Sequence, residues 1–378
     1  MTFIKPDSGR FAQIKVLGIG GGGGNCINTM VETEKIKGVD FVAINTDAQA
    51  LLNNKAPAKL QIGKKLTKGL GAGGNSQVGQ KAAEESREEI KRLITGSDMV
   101  FLTGGEGGGT CTGAAPIIAE IAKELGILTV AVITKPFNFE GHRRAAAAAE
   151  GIDKLREKVD TLITIPNQKL LDTVDKKVTL IEAFRLVDSV LISGVQGIAD
   201  LITKPGLINL DFADVKMIMK NAGNTLMGIG KASGENRAAK AAHLATASPL
   251  LETSIEGAKG ILFNITGSKD LTMKEIEEAA EAIFSQADPD ANIIFGAAID
   301  ESLNNEIKIT LIAAGFDEKR RLTKIAKATS ETSQGIIKKM PDEFEEEKSI
   351  IKEIPPEDLG EEYEVPTFLR QGKKKLIN

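Results

Sequence analysis

Apolar and polar residues follow three successive patterns along the chain. Between about residues 13 and 167, short β-branched and apolar runs are separated by stretches with helical periodicity. Apolar runs of this length predict strands that are buried on both faces of a parallel sheet. The runs are IKVLGI (14–19), FVAINT (41–46), MVFLTG (99–104), LTVAVIT (128–134) and TLITIPN (161–167). Their alternation with helices predicts a doubly wound, parallel-sheet α/β domain.

The segment APIIAEIAKELG (115–126) is one of the predicted helices between these strands. Its apolar residues share one face, as expected for a helix that packs on a sheet: Ile117, Ile118, Ile121, Ala122 and Leu125. Gly126 is expected to close the helix, and Pro116 is expected to lie in its first turn, where no N–H is needed.

The second pattern begins with a long helical stretch, LIEAFRLVDSVLISGVQGIADLI (180–202), which is too long for a routine crossover. We expect it to be a central helix that bridges two domains and is ended by KPG (204–206). Helical segments around 213–227, 236–248 and 272–287 follow, together with strands at 260–267, 292–300 and 306–315. This part predicts a smaller α+β domain with a mixed or antiparallel sheet.

The third pattern occupies the end of the chain. Residues 341–364 carry many Glu and Asp against only two lysines, which predicts a charged, disordered linker. A short apolar cluster follows, formed by Val365, Pro366, Phe368 and Leu369. Such a cluster in a disordered tail is typical of a binding peptide, although composition alone is equally consistent with an inert terminus.

Composition and charge exclude several classes of function. Aromatic residues make up only 4%, with no Trp, and the net charge is −4, so neither stacking platforms nor a basic footprint for nucleic acid is expected. No uninterrupted apolar run predicts a direct membrane span or a signal peptide. The two cysteines, Cys26 and Cys111, predict reduced thiols in a cytoplasmic protein.

Three glycine clusters carry the candidate chemistry. They are GIGGGGGN (18–25) and GGEGGGTCTG (104–113), which lie between a strand and a helix, and GLGAGGN (69–75). Glycine lets backbone N–H groups approach an anion, and the helix amino terminus behind them favours negative charge. Three such loops in one domain predict a ligand with several phosphates.

Two other interpretations of the glycines stay open. The first cluster matches G-x-G-x-x-G at Gly18, Gly20 and Gly23, which defines a nicotinamide or flavin oxidoreductase as an alternative. Two points argue against an oxidoreductase. No acidic residue clearly ends the second strand to bind a ribose, since that strand ends in NTD, with Asp47. The loop at 104–113 would also have no role. Alternatively, glycine-rich turns simply permit close packing of strand and helix. A G-x-x-x-x-G-K-[ST] motif is absent from the sequence, which disfavours an ordinary P-loop enzyme.

The order of several motifs resembles the FtsZ family, the bacterial tubulin-like GTPases of cell division. The motifs are GGGGGN, NTDAQAL, GLGAGGN, GGGTCTGAAP, PFNFEG, LIEAFR, GVQGIADLI, GLINLDFADVK and ENRAAKAA. The resemblance covers about residues 13–316 and resumes at VPTFLRQ. It implies a GTP-binding domain (1–179), a central helix (180–203), a polymerisation domain (204–316), a flexible linker (317–362) and a C-terminal partner-binding peptide (363–378).

The resemblance also implies a nucleotide site for GTP or GDP, with Mg²⁺ bound to the nucleotide and no side-chain metal ligand. Glu140 and Arg144 would contact the ribose end, and Asn167, Phe184 and Asp188 would hold guanine. The phosphates would be held largely through backbone by Gly21, Gly22, Gly23, Gly24 and Asn25; by Gly71, Ala72, Gly73, Gly74 and Asn75; and by Gly107, Gly108, Gly109, Thr110, Cys111, Thr112 and Gly113.

In the same resemblance, NLDFADV belongs to a loop that reaches the nucleotide of the next subunit. Asn209, Asp211 and Asp214 would then be the catalytic residues, and hydrolysis would require a head-to-tail homopolymer. Spacing alone favours a plainer role for Asp211 and Asp214, as a capping pair at a helix start. The tail cluster would tether filaments to membrane-anchoring division proteins. The implied protein is a cytoplasmic GTPase at the division site; a structural polymer with little hydrolysis is the alternative.

Two residues depart from the family pattern. Glu106 stands where Met is common. An acid there could lie near Mg²⁺, face the neighbouring subunit or be solvated, and we expect the last. Cys111 stands where the motif has Gly, and we predict a right-handed backbone there, because strain would threaten the site. A thiol at a helix amino terminus also predicts a lowered pKa and a reactive cysteine whose alkylation blocks GTP.

Overall fold

The structure is a computed structural model that describes residues 12–33, 36–174, 178–203, 211–248 and 255–316. Its strands, as described, form one continuous mixed sheet. They are β1 (Ile14–Ile19), β2 (Val39–Asn45), β3 (Ala58–Gln61), β4 (Met99–Gly105), β5 (Leu128–Lys135), β6 (Thr161–Pro166), β7 (Gly223–Ser233), β8 (Gly260–Gly267), β9 (Asn292–Ile299) and β10 (Glu306–Ala314).

Helices connect most of the strands. They are α1 (Gly20–Thr33), α2 (Ala48–Leu52), α3 (Lys64–Thr67), α4 (Ser76–Glu85), α5 (Arg87–Ile94), α6 (Thr110–Glu124), α7 (His142–Arg156), α8 (Asn167–Asp172), α9 (Leu180–Thr203), α10 (Phe212–Met219), α11 (Arg237–Thr246) and α12 (Met273–Phe284). Short 3-10 turns cover Asn138–Glu140 and Glu301–Leu303.

The strand order is β3-β2-β1-β4-β5-β6-β7-β10-β8-β9. Strands β1 to β6 are all parallel, so their last residues meet at one edge of the sheet, the carboxyl edge. Strand β7 starts parallel to β6 and then pairs antiparallel with β10, which in turn pairs antiparallel with β8. A parallel half and a mixed half thus share one sheet.

Apolar side chains on both faces of the sheet form the cores. One core joins α1 and the long α9 to the sheet, and a second lies under α4, α5 and α6 on the other face. A third joins α11 and α12 to the mixed half. Helix α9 is long enough and apolar enough to cross a membrane, since an 18-residue stretch of it has a mean hydropathy of 1.4. However, 56% of that stretch is buried inside the protein. Helix α9 is therefore a core helix of this fold.

The predicted fold class is confirmed, with three local corrections. The helix expected over 213–227 ends at Met219, and a strand, β7, occupies Gly223–Ser233. The helix does not continue because Asn221 and Gly223 have φ of +54° and +64°. Gly228 and Gly230 let α11 pack closely on the strand, because a Cβ on either would lie 1.9 Å from a carbonyl oxygen of α11. Strand β3 is a further strand that the apolar pattern did not predict.

Helix α6 is longer than the sequence suggested. It starts at Thr110, so Pro116 lies in its interior and not in its first turn, whereas Gly126 follows its last turn with a φ of +70° as expected. The predicted linker (317–362) and tail peptide (363–378) lie outside the described residues, as does Asn209. The described residues belong to one compact unit.

Candidate nucleotide-binding site

The three glycine clusters meet at the carboxyl edge of the sheet. The first cluster is not a loop as predicted, because α1 begins at Gly20, directly after β1. A Cβ on Gly22, in the first turn of α1, would lie 3.4 Å from the backbone nitrogen of Gly105, so the start of α1 lies against the end of β4. A Cβ on Gly109 would lie 2.8 Å from Cβ of Ala72 and 2.9 Å from the nitrogen of Asn75, so the third loop lies against the second. Three segments distant in sequence thus form one backbone-lined surface, as an anion with several charges requires.

Hydroxyl groups hold these loops in place. The hydroxyls of Thr46 and Thr110 are hydrogen-bonded at 2.7 Å, and the Thr67 hydroxyl donates to the carbonyl of Thr46 at 3.2 Å. The Thr112 hydroxyl accepts the N–H of Gly107 at 2.9 Å, and Oδ1 of Asn75 accepts an N–H at the start of α4. These hydrogen bonds hold the segments around Asn75 and around 107–112 in place, so the backbone N–H groups there are preorganised for a ligand.

A cleft of about 210 Å³ adjoins the first loop, between α1 and α2. Its walls combine glycine backbone with side-chain amides, including Gly21, Gly24, Asn25, Asn28, Asn45 and Asn54. The Asn54 amide donates to the carbonyl of Gly24 at 2.8 Å, which ties α1 to the segment after α2. The cleft is uncharged, so the phosphate loops and not this wall supply the attraction for an anion.

The residues assigned to the base lie on α8 and α9, two helices that contact each other. Asn167, the first residue of α8, is only 4% exposed, and its Oδ1 makes no hydrogen bond to any described residue. A buried amide oxygen without a hydrogen bond lowers the stability of the fold unless a ligand donates a hydrogen bond to it. Asn167 therefore fits a role as a ligand for a base N–H.

Asp188 and Phe184 lie on the first half of α9. Burial raises the pKa of the Asp188 carboxyl to about 6, so it is largely ionised at neutral pH. An ionised carboxylate can accept two N–H bonds, as guanine offers. Phe184 is 43% exposed and presents an apolar ring at the same site. These residues fit a purine with adjacent N–H donors.

Glu140 and Arg144 form an ion pair at the start of α7. Oε1 of Glu140 also accepts the N–H of Phe137 at 3.0 Å and so closes the 3-10 turn after β5. The pair is exposed on the arginine side, which leaves the guanidinium accessible to a ligand. The structure thus places both residues at the carboxyl edge, next to the residues assigned to the base.

Glu106 is not solvated, contrary to expectation. Its side chain is 4% exposed and lies between α6 and α7, where a Cβ on Gly151 would come 2.5 Å from Oε2. Oε1 accepts a hydrogen bond from the Cys111 thiol at 3.6 Å, and Oε2 has no hydrogen-bond partner among the described residues. Burial raises the pKa of the carboxyl to about 7. The bare backbone of Gly151, 45 residues later, creates this space, which no local pattern predicts.

Cys111 meets one expectation and contradicts another. It is the second residue of α6 and is not among the described residues with positive φ, which confirms the right-handed backbone. The expected lowering of the thiol pKa is wrong, because the side chain is 4% exposed and burial raises its pKa well above 9.0. Its Sγ lies over Gly104, so the thiol points into the core. The side chain therefore does not cover the backbone N–H groups of its own loop.

Asp211 and Asp214 form a reciprocal capping pair at the start of α10. Oδ1 of Asp211 accepts the N–H of Asp214 at 2.7 Å, as spacing alone predicts. The other end of α10 reaches the amino edge of the sheet, where the Thr161 hydroxyl donates to the carbonyl of Met219 at 2.6 Å. No contact found among the described residues joins either carboxylate to the glycine loops.

Sequence reasoning missed several contributors to this site. Thr46 and Asn45 lie in the NTD segment, and Phe137 lies in PFNFEG; both segments carried the resemblance, yet these residues were given no role. In the described ranges, His, Cys, Asp and Glu form no group of three that could hold a metal.

Comparison with known proteins shows the family of this chain. A family model described as the Tubulin/FtsZ family, GTPase domain, matches residues 13–175, and one described as the FtsZ family, C-terminal domain, matches residues 223–317. An empty FtsZ dimer from M. jannaschii is 51% identical, with 81% of this chain and 89% of that chain covered and a TM-score of 0.77. A mutant of M. jannaschii FtsZ gives the same identity over 81% and 92%, with a TM-score of 0.78.

A more distant structure shares the fold. CetZ1 from Haloferax volcanii, a GDP-bound monomer, is 21% identical, with 85% of this chain and 99% of that chain covered and a TM-score of 0.71. The chain is 51% identical to FtsZ over 81% of its length. The glycine clusters and the unpaired Asn167 oxygen fit a nucleotide site. The chain therefore belongs to the FtsZ family of tubulin-like GTPases.

Proposed function

We propose that this protein is a GTP-dependent cytoskeletal GTPase that assembles head to tail into filaments and hydrolyses GTP between subunits. The observation that carries the proposal is the convergence of three glycine clusters at the carboxyl edge of the sheet, and the buried, unpaired Asn167 oxygen supports it. Backbone N–H groups would bind the phosphates, and the amide and carboxylate of Asn167 and Asp188 would select guanine. GTP binding is the property of this family's GTPase domain that the geometry supports most directly.

Mg²⁺ bound to the nucleotide would offset the charge of the phosphates. The chain's own contribution is to hold the β- and γ-phosphates at the amino terminus of α6 and to exclude water from the buried side of the loop. The Thr46–Thr110 hydrogen bond would hold the Thr110 hydroxyl at a fixed position beside the phosphates.

A second copy of the chain would complete the site. Asp211 and Asp214 lie at the start of α10, a helix that ends at the sheet edge opposite the glycine loops. Head-to-tail stacking would bring α10 of one copy to the nucleotide of the next. Two carboxylates there could orient a water and stabilise its positive charge as it attacks the γ-phosphate. Asn209, outside the described residues, is assigned to the same loop.

Assembly would place the protein in the division ring, in the cytoplasm. Self-association is supported by the FtsZ dimer from M. jannaschii, and a CetZ2 protofilament with bound GTPγS shares the fold at 17% identity. Val365, Pro366, Phe368 and Leu369 would bind membrane-tethering partners through the linker. The proposed domains are those implied by the resemblance, with the boundary of the second domain after α9.

A mixing experiment tests the shared site. Asp188→Ala removes base recognition but keeps the α10 carboxylates, and Asp214→Asn keeps the nucleotide loops but removes one carboxylate. Each variant alone should hydrolyse GTP slowly, and an equimolar mixture should exceed the average of the two, because mixed interfaces contain one intact site. A mixture that equals the average would contradict hydrolysis between subunits.

The alternative function is a structural polymer with little hydrolysis. It is favoured by one observation, the buried Glu106 carboxyl beneath the phosphate loop, whose pKa of about 7 leaves it partly ionised at neutral pH and so adds some negative charge near a polyanion. GTP-dependent sedimentation without phosphate release would select this alternative.

A further inference from the structure

Phe137 is a buried aromatic residue next to the candidate base site. It is 2% exposed, although it lies in the turn that directly follows β5 at the carboxyl edge. Its ring meets the ring of Phe184 nearly at a right angle, with centroids 5.5 Å apart and an interplanar angle of 88°. On another side, Phe139 stacks on it with centroids 5.0 Å apart and an angle of 13°. Phe137 thus lies between an exposed ring and the ring assigned to the base.

The turn that carries Phe137 is fixed from both sides. Oε1 of Glu140 accepts the N–H of Phe137, and the Glu140 carboxylate is paired with Arg144. The N–H of Asn138 donates to Oε1 of Gln168 at 3.2 Å, and Gln168 is the neighbour of Asn167. One short turn is therefore joined to Glu140 and Arg144, to the residue next to Asn167 and to the Phe184 ring.

This arrangement has a direct consequence for Phe184. Phe184 is 43% exposed, so protein contacts restrain only part of its side chain. An exposed ring that no contact holds changes rotamer on the picosecond-to-nanosecond timescale. A perpendicular contact with a buried ring is a favoured aromatic geometry that restricts such motion. A ring held in advance loses less conformational entropy when a base stacks on it.

We propose that Phe137 is a positioning residue for purine binding, which holds the Phe184 ring in the orientation that receives the base. The inference rests on the proposed function, since it concerns the same nucleotide site. Phe137 itself is buried and would not contact the nucleotide. Its effect would therefore appear in binding and not in the rate of hydrolysis by assembled subunits.

Phe137→Leu tests the inference, with Phe263→Leu as the matched control. Phe263 is also fully buried in an aromatic group, with Phe295 stacked at 5.6 Å and Phe284 edge-on at 6.4 Å, but it lies in the mixed half of the sheet. Both variants remove one buried ring and should lower thermal stability similarly. GDP affinity is measured by calorimetry below the assembly threshold, and phosphate release is measured above it.

The expected result is a GDP dissociation constant raised about two- to tenfold in Phe137→Leu, the range of one aromatic pair. The maximal rate per assembled subunit should stay within about twofold, and Phe263→Leu should keep wild-type affinity. Unchanged affinity in Phe137→Leu, or an equal loss in Phe263→Leu, would overturn the inference. A wild-type chain that binds no GDP or GTP would overturn the proposed function as well.

A spectroscopic measurement does not depend on the folding of Phe137→Leu. The sequence contains no Trp, so Phe184→Trp introduces a single indole at the base site. Without nucleotide, its fluorescence anisotropy should decay only with overall tumbling, because Phe137 holds the ring. A fast local decay that disappears only when GDP binds would show a free ring and would overturn the inference.

Discussion

The Cys111 thiol donates a hydrogen bond to Oε1 of Glu106 across 3.6 Å, and both side chains are buried directly beneath the phosphate loop. Both residues interrupt the glycine-rich segment GGEGGGTCTG (104–113). They fill one space together, since Sγ lies over Gly104 and the carboxylate lies against Gly151. The two side chains form one buried unit beneath the backbone of the loop.

The first prediction concerns the pH dependence of stability. The pKa of Glu106 rises from 4.5 to about 7 on folding, so the folded protein holds this proton more tightly than the unfolded chain. The stability that the protonated Glu106 carboxyl contributes is therefore fully present below about pH 4.5 and is lost as the pH rises to about 7. Glu106→Gln should remove this loss and stabilise the protein at pH 8 by on the order of 3 kcal/mol.

Denaturant unfolding of the two proteins between pH 4.5 and 8 measures the difference. Glu88→Gln, on an exposed face of α5, is the control and should follow the wild type. A constant difference between Glu106→Gln and the wild type across this range would show that Glu106 does not titrate there.

The second prediction concerns thiol reactivity. Burial raises the pKa of the Cys26 thiol to about 12 and that of Cys111 well above 9.0, and only the thiolate attacks alkylating reagents. Both cysteines should react with iodoacetamide only when the protein unfolds, which mass spectrometry of timed samples would detect. Rapid alkylation of Cys111 in the folded protein would contradict its burial.

The third prediction compares two adjacent glycines. A Cβ at Gly109 would lie 2.8 Å from Cβ of Ala72, whereas a Cβ at Gly108 would meet nothing within 4 Å, and neither residue has positive φ. Gly109→Ala should therefore destabilise the nucleotide-free protein by roughly 1–3 kcal/mol, and Gly108→Ala by less than about 0.5 kcal/mol. Equal unfolding midpoints would show that the second and third loops are not in contact.

The fourth prediction concerns base recognition. Burial raises the pKa of Asp188 to about 6, and the protonated carboxyl can no longer accept two N–H bonds. GDP affinity should therefore fall as the pH drops from 7.5 to 5. The phosphates also titrate, so Asp188→Asn is the reference: it should bind GDP more weakly and lack the part of the pH dependence that belongs to Asp188. If the GDP affinities of the wild type and of Asp188→Asn changed equally with pH, this role of Asp188 would be excluded.

Strand and loop positions could be predicted because they depend on local sequence. The apolar runs that became β1, β4, β5 and β6 fix where the parallel strands end, and the glycine loops follow two of these ends. Strand β7 was not predicted, although Asn221 and Gly223, which have positive φ, end the helix before it. Its Gly228 and Gly230 are explained only by the carbonyls of α11 that approach them, which local periodicity does not reveal.

The environment of the site residues was likewise not predictable from local pattern. Glu106 looks like a solvated acid in sequence, and only Gly151 on α7 shows that it is buried. Phe137 looks like one apolar residue in a turn, and only its perpendicular contact with Phe184 suggests a role. For Asp211 and Asp214, spacing correctly predicted a capping pair, and a catalytic role depends on a second copy of the chain.

Phosphate release from GTP, measured per subunit over a range of protein concentrations, tests the shared site most directly. The account predicts that activity switches on above a threshold concentration. Asp214→Asn, which keeps an oxygen for the helix cap, should lower the rate on the order of 100-fold or more while still sedimenting with GTP. Activity per subunit that is independent of concentration would show that one chain contains the whole site, and hydrolysis between subunits would be wrong.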